Sequence, residues 1–366
     1  MKKYIAAVIS IPVAAILFVL LVSRAAICIT DSLNAKYMPL YRDGATGVSS
    51  PWYDAGYHIV DGRFIEEMSR MEEDEKKVIS IGSSVCVVPF HSEIANEKSD
   101  FAYRFMTCGN GCWKSDQILY GLLKEADLIG EGDLIKLEIS FSTFRDPGTT
   151  ITESMLDKWG KYSVHYADPD DRYADPVIER NSALLTPVHA LNAQLIRVQS
   201  VWDLTLDWAD QVFHGSHGSG LTERAAEFGI RADGSYDQNN IPGNFRNNYY
   251  NPEAVADTLT ISGVIEEKTE ALISEINAEN NLVVELSPIP DNLLQTPFGQ
   301  EYKDYVDNRL IPYLDDNGIG YVDYRYDYAM EEYADGVHLG YDAGIRYTEK
   351  ILEDMNGYQR KTAGRF

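Results

Sequence analysis

Positive charge is scarce in this chain of 366 residues. Lysine and arginine total 32 against 57 aspartates and glutamates, which gives a formal net charge of −25. Proteins that bind nucleic acid neutralise its phosphates with Lys and Arg, so an acidic balance of this size argues against a nucleic-acid partner. Apolar residues make up 45% of the chain, which is typical of a folded globular protein and argues against a disordered one.

Cysteine is also scarce, and common cofactor motifs are missing. The four cysteines, Cys28, Cys86, Cys108 and Cys112, form no C-x-x-C pair, which argues against a structural zinc site. Cys108 and Cys112 frame a short loop that a disulfide can close, and free thiols are the alternative. The sequence contains no Walker loop and no dinucleotide fingerprint, so it predicts no cofactor.

Only one long hydrophobic run is present, and it lies at the N-terminus. Residues 4–22 carry no charge and would be about 28 Å long as a helix, close to the hydrocarbon thickness of a bilayer. Lys2 and Lys3 precede the run, which favours a cytoplasmic N-terminus and an exported body. We therefore expect an uncleaved transmembrane signal anchor over residues 1–30. A signal peptide cleaved before Ala26 is the alternative.

Beyond the anchor, residues 31–76 are turn-rich and then charged, which predicts a connector. From residue 77, short apolar runs alternate with helical patterns. Strands are predicted at 78–81, 102–107, 133–144, 281–290 and 319–324. Helices are predicted at 115–129 with Ser115 as cap, at about 186–210, at 252–280 either as one long helix or interrupted near Gly263, at 299–318 and at 340–355. This order predicts an α/β domain over 77–357, with a parallel sheet between helices, an insertion at about 145–250 and a tail at 358–366.

The first predicted strand ends on a glycine followed by two hydroxyls, Gly82-Ser83-Ser84. A simple turn explains this stretch, because glycine gives backbone freedom and serine caps helices. A serine nucleophile explains it equally well, because ligands of open parallel sheets bind at the carboxyl ends of the strands. Cys86 is a weaker rival as nucleophile and is expected to pack as a small apolar residue.

A serine nucleophile needs a base, and the base needs an orienting acid. His338 follows the fifth predicted strand and precedes the last helix, and Asp335 lies three residues before it. This D-x-x-H turn can place a carboxylate against one imidazole nitrogen while the other nitrogen faces outward. His214 and His217 lie in a Gly- and Ser-rich stretch that favours a flexible loop over a metal site.

With these motifs the chain resembles the SGNH (GDSL-type) hydrolases over about 77–144 and 280–355. Their usual Gly-Asp-Ser reads Gly-Ser-Ser here, so the resemblance implies Ser84 as nucleophile in a triad with His338 and Asp335. Gly111, in the stretch CGNGC, matches the glycine whose backbone N–H faces the oxyanion. The implied fold is a three-layer αβα sandwich with a parallel, flavodoxin-like sheet.

One family motif departs from the usual pattern. The third block normally reads Gly-x-Asn-Asp, and its Asn donates to the oxyanion, whereas here LEISFSTF places Ser142 nearest that position. The oxyanion hole is then expected to use the N–H groups of Ser84 and Gly111, with Ser142 or Thr143 as a weaker third donor. Losing one such donor typically costs about 3–4 kcal/mol in the transition state.

Gly-Ser-Ser, the missing Asn and the single N-terminal span resemble a membrane-anchored branch of the family. That branch includes the D-alanyl transfer protein of lipoteichoic-acid synthesis and the alginate-acetylation proteins. The resemblance implies acyl transfer or acyl-ester cleavage outside the membrane, on a cell-envelope glycan or polymer, beside a multi-pass membrane O-acyltransferase. The alternative is a catalytically weak or inactive adaptor that binds such a polymer or such a partner.

Overall fold

A parallel five-stranded sheet lies at the centre of the fold. The computed structural model describes residues 76–99, 101–107, 112–146, 162–166, 168, 170–180 and 251–362, together with Ala14, Phe18 and Leu21. The strands of this described part are β1 (Lys77–Gly82), β2 (Ala102–Thr107), β3 (Leu134–Ile139), β4 (Tyr162–Tyr166), β5 (Pro176–Arg180), β6 (Asn281–Leu286) and β7 (Gly320–Asp323). The central sheet has the order β2-β1-β3-β6-β7, and each neighbouring pair is parallel.

Helices connect the parallel strands. The α-helices of the described part are α1 (Ser84–Val87), α2 (Ser92–Lys98), α3 (Trp113–Glu125), α4 (Pro252–Ala256), α5 (Gly263–Glu279), α6 (Asp291–Leu294), α7 (Pro297–Tyr305), α8 (Ile311–Asp316) and α9 (Tyr341–Thr362). A π-helical segment, Val306–Leu310, joins α7 to α8. The fold is therefore α/β, as the alternation of strand and helix patterns predicts.

Both faces of the sheet are buried, and alternate residues of each strand enter different cores. Ile79 and Ile81 of β1 pack in one hydrophobic cluster with apolar residues of α3 and α5. Val78 belongs to a second cluster, together with Tyr347 and other apolar residues of α9. Because side chains alternate along a strand, a buried run such as Val78–Ile81 must fill a core on each side.

The sheet order places a crevice beside β1. The chain moves from β1 to β2 on one side and then returns to β3 on the other side, so the connections leave the carboxyl ends of β1 and β3 in opposite directions. Ligands bind at such switch points in open α/β sheets. Ile81 of β1 is paired with Leu137 of β3, so the segments that follow these two strands emerge side by side.

The third strand is shorter than the sequence predicts. It ends at Ile139, and Phe141–Phe144 form a 3₁₀ helix in place of the rest of the predicted strand 133–144. The Ser142 N–H donates to Ser140 Oγ at 3.3 Å, and the Ser140 N–H donates to Thr143 Oγ1 at 3.1 Å. Such local hydroxyl bonds compete with the strand ladder and turn the chain away from the sheet.

Other element boundaries also differ from the predictions. The helix predicted to start after a Ser115 cap begins at Trp113, with Cys112 at the N-cap position, and Ser115 lies inside it. Of the two alternatives for 252–280, the structure shows the interrupted one, because α4 ends at Ala256 and α5 begins at Gly263. The last helix extends to Thr362 and so includes part of the predicted tail 358–366.

Several predicted segments lie outside the described residues. The connector, up to residue 75, and the helix at about 186–210 are among them. Within the insertion, β4 and β5 form an antiparallel two-stranded sheet. Of the predicted anchor, the described residues are Ala14, Phe18 and Leu21, and none of the helices described is both long and apolar enough to span a bilayer.

Gly299 in α7 provides a test of the packing between α6 and α7. A Cβ at this position would lie 2.5 Å from Leu294 Cα and closer still to the Leu293 carbonyl oxygen, and backbone atoms have little room to move. We expect Gly299→Ala to lower the free energy of unfolding by about 1–3 kcal/mol, the usual cost of overpacking. Chemical denaturation monitored by circular dichroism measures this change.

The matched control is Gly263→Ala at the start of α5, where a Cβ would meet nothing within 4 Å. This variant should unfold like the wild type or at slightly higher denaturant, because alanine restricts the unfolded chain more than glycine does. Equal stability of the two variants would contradict the close packing of Gly299.

Candidate active site

The two serines after β1 have different environments. Ser83 is buried and caps α1, with its Oγ accepting a hydrogen bond from the Val85 N–H at 3.2 Å. Ser84 is the first residue of α1 and is partly exposed. The capping role that the sequence suggested for this stretch therefore belongs to Ser83, and the Ser84 hydroxyl is left to face the rim of the sheet.

Ser84, His338 and Asp335 form a continuous hydrogen-bonded chain. His338 Nε2 lies 2.9 Å from Ser84 Oγ. His338 Nδ1 lies 2.7 Å from Asp335 Oδ2. These are hydrogen-bond distances, and the order serine, imidazole, carboxylate is the order that activates a hydroxyl nucleophile. The structure thus brings together the three residues that the sequence predicts as a triad, although they span more than 250 positions of the chain.

The loop before α9 fixes Asp335 through its backbone. Asp335 Oδ1 accepts hydrogen bonds from the N–H groups of Val337, at 3.0 Å, and of His338, at 2.8 Å. Gly336, which lies between Asp335 and Val337, has a φ of +87°. This conformation favours glycine and lets the loop turn tightly around the Asp335 carboxylate. One carboxylate oxygen therefore organises the loop, and the other remains for the imidazole.

The environment of Asp335 favours its ionised form. Burial opposes ionisation, but the charge of His338 and the hydrogen bonds from His338 and Val337 outweigh it and hold the pKa of Asp335 below its ordinary value. The stability that this carboxylate contributes is then complete above the ordinary aspartate pKa and is lost only as the pH falls through its own lower pKa. Asp335 therefore stays charged at any pH at which an imidazole can act as a base.

The predicted oxyanion donors are only partly described. Among the described residues, no hydrogen bond uses the Ser84 N–H, whereas Gly111 lies outside them. Ser142 is buried in the 3₁₀ helix after β3, and its Oγ lies 2.7 Å from Ser140 Oγ. If Ser140 donates in that pair, the Ser142 proton is left for an acceptor. Thr143 Oγ1 accepts the Ser140 N–H, which fixes its position in the turn.

Sequence reasoning missed Glu138, which lies directly beneath the serine turn. Glu138 is buried near the end of β3, and its carboxylate accepts hydrogen bonds from the Ser83 N–H and, at 3.1 Å, from Ser83 Oγ. Ser287 Oγ also donates to it, at 3.2 Å. The signal was present in the sequence, because the third strand, LIKLEI, places Lys136 and Glu138 on the same face of a strand that is otherwise apolar.

The described cysteines do not compete with Ser84 as nucleophiles. Cys86 is buried, as predicted, and its Sγ donates to the Ser83 carbonyl oxygen at 3.3 Å. Burial and the nearby Glu138 carboxylate raise the pKa of the Cys86 thiol well above its ordinary value, which disfavours a reactive thiolate. Cys112 is a free, buried thiol next to Ser115, whereas Cys108, its partner in the disulfide considered for this loop, lies outside the described residues.

Comparison with known proteins assigns no function, because no protein-family model matches the chain and no curated protein matches it either. His214 and His217 lie outside the described residues. The function is therefore inferred from the residues of the site and their geometry, of which the hydrogen-bonded chain from Asp335 to Ser84 is the central feature.

Asp335→Asn tests whether the orientation of His338 matters for chemistry. The asparagine oxygen can keep both backbone N–H bonds, and its amide NH₂ then faces His338 Nδ1. Nδ1 must accept that bond, so the ring proton moves to Nε2, which can no longer take a proton from Ser84. We expect kcat/KM for p-nitrophenyl acetate to fall by about 10⁴-fold, as expected for the wrong tautomer in a triad.

The thermal unfolding midpoint of Asp335→Asn is the control, because the loop keeps its hydrogen bonds and the protein should unfold within a few degrees of the wild type. A loss of less than tenfold in kcat/KM, in a protein of unchanged stability, would show that Asp335 does not set the tautomer of His338.

Proposed function

We propose that this chain is an extracytoplasmic serine acyltransferase or esterase that acts on acyl esters of a cell-envelope glycan or polymer. The observation that carries the proposal is the triad geometry, with 2.9 Å between Ser84 Oγ and His338 Nε2 and 2.7 Å between His338 Nδ1 and Asp335 Oδ2. A partly exposed serine at the end of a parallel strand, next to an oriented imidazole, is suited to attack on an acyl carbonyl.

The proposed reaction has two halves. His338 Nε2 takes the Ser84 proton as Ser84 Oγ bonds to the acyl carbon, and the carbonyl oxygen becomes an oxyanion facing the Ser84 N–H. The intermediate collapses as His338 returns the proton to the leaving alcohol, which leaves an acyl ester on Ser84. A second alcohol, or water, then gives its proton to His338 and attacks the acyl carbon of this ester. The bond from the acyl carbon to Ser84 Oγ breaks, His338 returns the proton to Ser84 Oγ, and the acyl group leaves as a new ester or as the free acid.

The order of the strands supports the resemblance to the SGNH hydrolases. Numbered along the chain within the central sheet, the strands lie in the order 2-1-3-4-5, which is that of flavodoxin-like folds. Ser84 follows the first of these strands, Ser142 follows the third, and His338 lies in the loop after the fifth. This arrangement agrees with the places that the family motifs occupy in the resemblance.

The cellular setting in this proposal rests on the sequence. The uncharged run at 4–22, preceded by Lys2 and Lys3, is proposed to anchor the chain in the membrane with the site outside. A polymer with many hydroxyls can then serve as acyl donor or acceptor, and a multi-pass membrane O-acyltransferase can supply the acyl group. The net charge of −25 argues against nucleic acid as a partner.

A non-catalytic adaptor is the second candidate, and one observation favours it. Ser142 stands where the family's oxyanion asparagine is usual, and its hydroxyl is engaged with Ser140. A hole that lacks one donor stabilises the transition state less, by about 3–4 kcal/mol. A chain of this fold with slow or absent turnover could still bind an acylated polymer or an O-acyltransferase.

Labelling by a fluorophosphonate probe distinguishes the two candidates. We expect the full-length protein, purified in mild detergent, to be labelled on one serine and to hydrolyse p-nitrophenyl acetate. Ser84→Ala removes the nucleophile, so labelling should disappear and turnover should fall by about 10⁴-fold or more. Intact-protein and peptide mass spectrometry identify the modified residue.

Ser83→Ala is the matched control. It removes a cap and a buried hydrogen bond but leaves the Ser84 hydroxyl, so Ser84 should still be the residue that the probe labels, at a lower rate than in the wild type. A folded wild type that is not labelled would favour the adaptor, and labelling that persists in Ser84→Ala would exclude Ser84 as the nucleophile.

A further inference from the structure

We propose that Glu138 is a positioning residue for the reaction, which holds the Ser83–Ser84 turn in the conformation that aims the Ser84 hydroxyl at His338. The inference rests on the proposed function and assigns a role to a residue outside the triad. Glu138 is 1% exposed and cannot touch a substrate from its place under the turn. Its hydrogen bonds connect it to the reaction through Ser83 and the backbone that leads to Ser84.

The contacts of Glu138 fix Ser83 at two points. One carboxylate oxygen accepts the Ser83 N–H, and the other accepts Ser83 Oγ at 3.1 Å. Ser83 Oγ in turn accepts the Val85 N–H at 3.2 Å, which ties the side chain to the first turn of α1. The direction of the Ser84 side chain follows from the backbone angles of Ser83, so these three bonds together determine where the Ser84 hydroxyl lies.

Gly82 permits this contact. Ile81 is the last β1 residue paired with β3, opposite Leu137, so Gly82 and Glu138 are the next residues along the two strands. A Cβ on Gly82 would lie 2.5 Å from Glu138 Cβ, closer than two side-chain carbons can approach. A glycine at the end of β1 is therefore required for a side chain of this size on β3 to reach beneath the serine turn.

Glu138 also determines which backbone N–H remains for the substrate. The Ser83 N–H is occupied by the carboxylate, and the Val85 N–H is occupied by Ser83 Oγ. No hydrogen bond in the described part of the chain uses the Ser84 N–H between them. The same carboxylate that aims the nucleophile thus leaves one N–H, that of the nucleophile itself, for the oxyanion.

A buried polar network holds Glu138 in place. Ser287 Oγ lies 3.2 Å from Glu138 Oε1 and 2.9 Å from Glu285 Oε1, so its proton can bridge the two carboxylates. Glu285 also accepts hydrogen bonds from Lys136 and from Tyr347. Tyr347 lies in α9, the helix that begins three residues after His338. One network therefore links the turn of the nucleophile to the element that follows the base.

The charge balance of this network suggests the conservative variant. Burial and the neighbouring Glu285 raise the pKa of Glu138, and the Ser83 N–H and Lys136 offset part of this effect. A neutral glutamine has the same shape as glutamate. Its amide oxygen can accept the Ser83 N–H while its NH₂ faces the hydroxyls of Ser83 and Ser287. Glu138→Gln should therefore keep the turn in place without the carboxylate.

The test compares three variants of the full-length chain by kinetics per active site. Titration with the fluorophosphonate probe gives the fraction of competent protein, and turnover of p-nitrophenyl acetate is divided by that fraction. We expect Glu138→Leu to lower kcat per site about 100-fold with KM unchanged, the scale of loss from a displacement of about 1 Å. Glu138→Asp, which withdraws the carboxylate by one methylene, should lose about tenfold or more, and Glu138→Gln should stay within about fivefold of the wild type.

Tyr324→Phe is the matched control, because it removes the hydrogen bond of a buried tyrosine to Asp354, 2.8 Å long, from the cluster on the same face of the sheet and outside the hydrogen-bond network of Glu138. It should lower the thermal unfolding midpoint but leave kcat per site unchanged. If Glu138→Leu does not fold, Glu138→Asp carries the test. Variants of Glu138 that lower only the competent fraction, with kcat per site equal to the wild type, would show that the residue has only a structural role. That result would overturn the positioning role of Glu138 and leave the proposed function standing.

Failure of the proposed function gives a different result. If the folded wild type is not labelled, or if Ser84→Ala is labelled as fast as the wild type, the proposed function is overturned and the role of Glu138 with it. A labelled wild type with an unlabelled Ser84→Ala, together with unchanged kcat per site in Glu138→Asp and Glu138→Leu, leaves the proposed function standing and excludes Glu138 as a positioning residue.

Discussion

The close approach of Gly82 and Glu138 is the contact on which the candidate site depends. Two neighbouring parallel strands, β1 and β3, end almost side by side, and the missing side chain of Gly82 gives the Glu138 carboxylate room beneath the turn. From there it binds the Ser83 N–H and hydroxyl. This contact fixes the backbone of the Ser83–Ser84 turn. That backbone in turn sets the start of α1, the exposure of Ser84 and the hydrogen bond between Ser84 and His338.

The two faces of the sheet are packed with different kinds of side chain. The face toward α3 and α5 is closed by aliphatic residues such as Ile81, Leu137 and Val284. On the face toward α9, a charged pair, Lys136 and Glu285, is fully buried. Burying such a pair costs solvation that its attraction only partly returns, so its presence is weak evidence of a contribution to stability. Its hydrogen bonds have one clear geometric effect, which is to hold Glu138 and α9 in a fixed relation.

The candidate site combines a hydrogen-bonded chain of Ser84, His338 and Asp335 with an atypical segment after β3. Asp335 uses one oxygen for its own loop and the other for His338, so the base is oriented before any substrate arrives. The resemblance calls for an amide donor in the segment after β3. This segment instead forms a 3₁₀ turn that is stabilised by hydrogen bonds of serine and threonine hydroxyls. Such a turn can offer Ser142 only as a weaker donor. A weaker donor slows acyl transfer and hydrolysis alike, because both reactions pass through an oxyanion, and this is the feature that favours the alternative proposal of a binding role.

The sequence by itself determined the α/β alternation, the end of β1 at Gly82 and the D-x-x-H loop, because these depend on local periodicity and on residues close together in the chain. It named Ser84, His338 and Asp335 as a triad through motif order and resemblance, but without the resemblance it did not distinguish Ser84 from Ser83. Only the tertiary structure assigned capping to Ser83 and placed Ser84 next to His338, because the partners that decide this, Glu138 and His338, are 55 and 254 positions away. The sequence did not predict that β3 ends at Ile139, for a related reason. An apolar run such as 133–144 fits a strand or a buried turn equally well. The hydrogen bonds of Ser140 stabilise the 3₁₀ turn at its end.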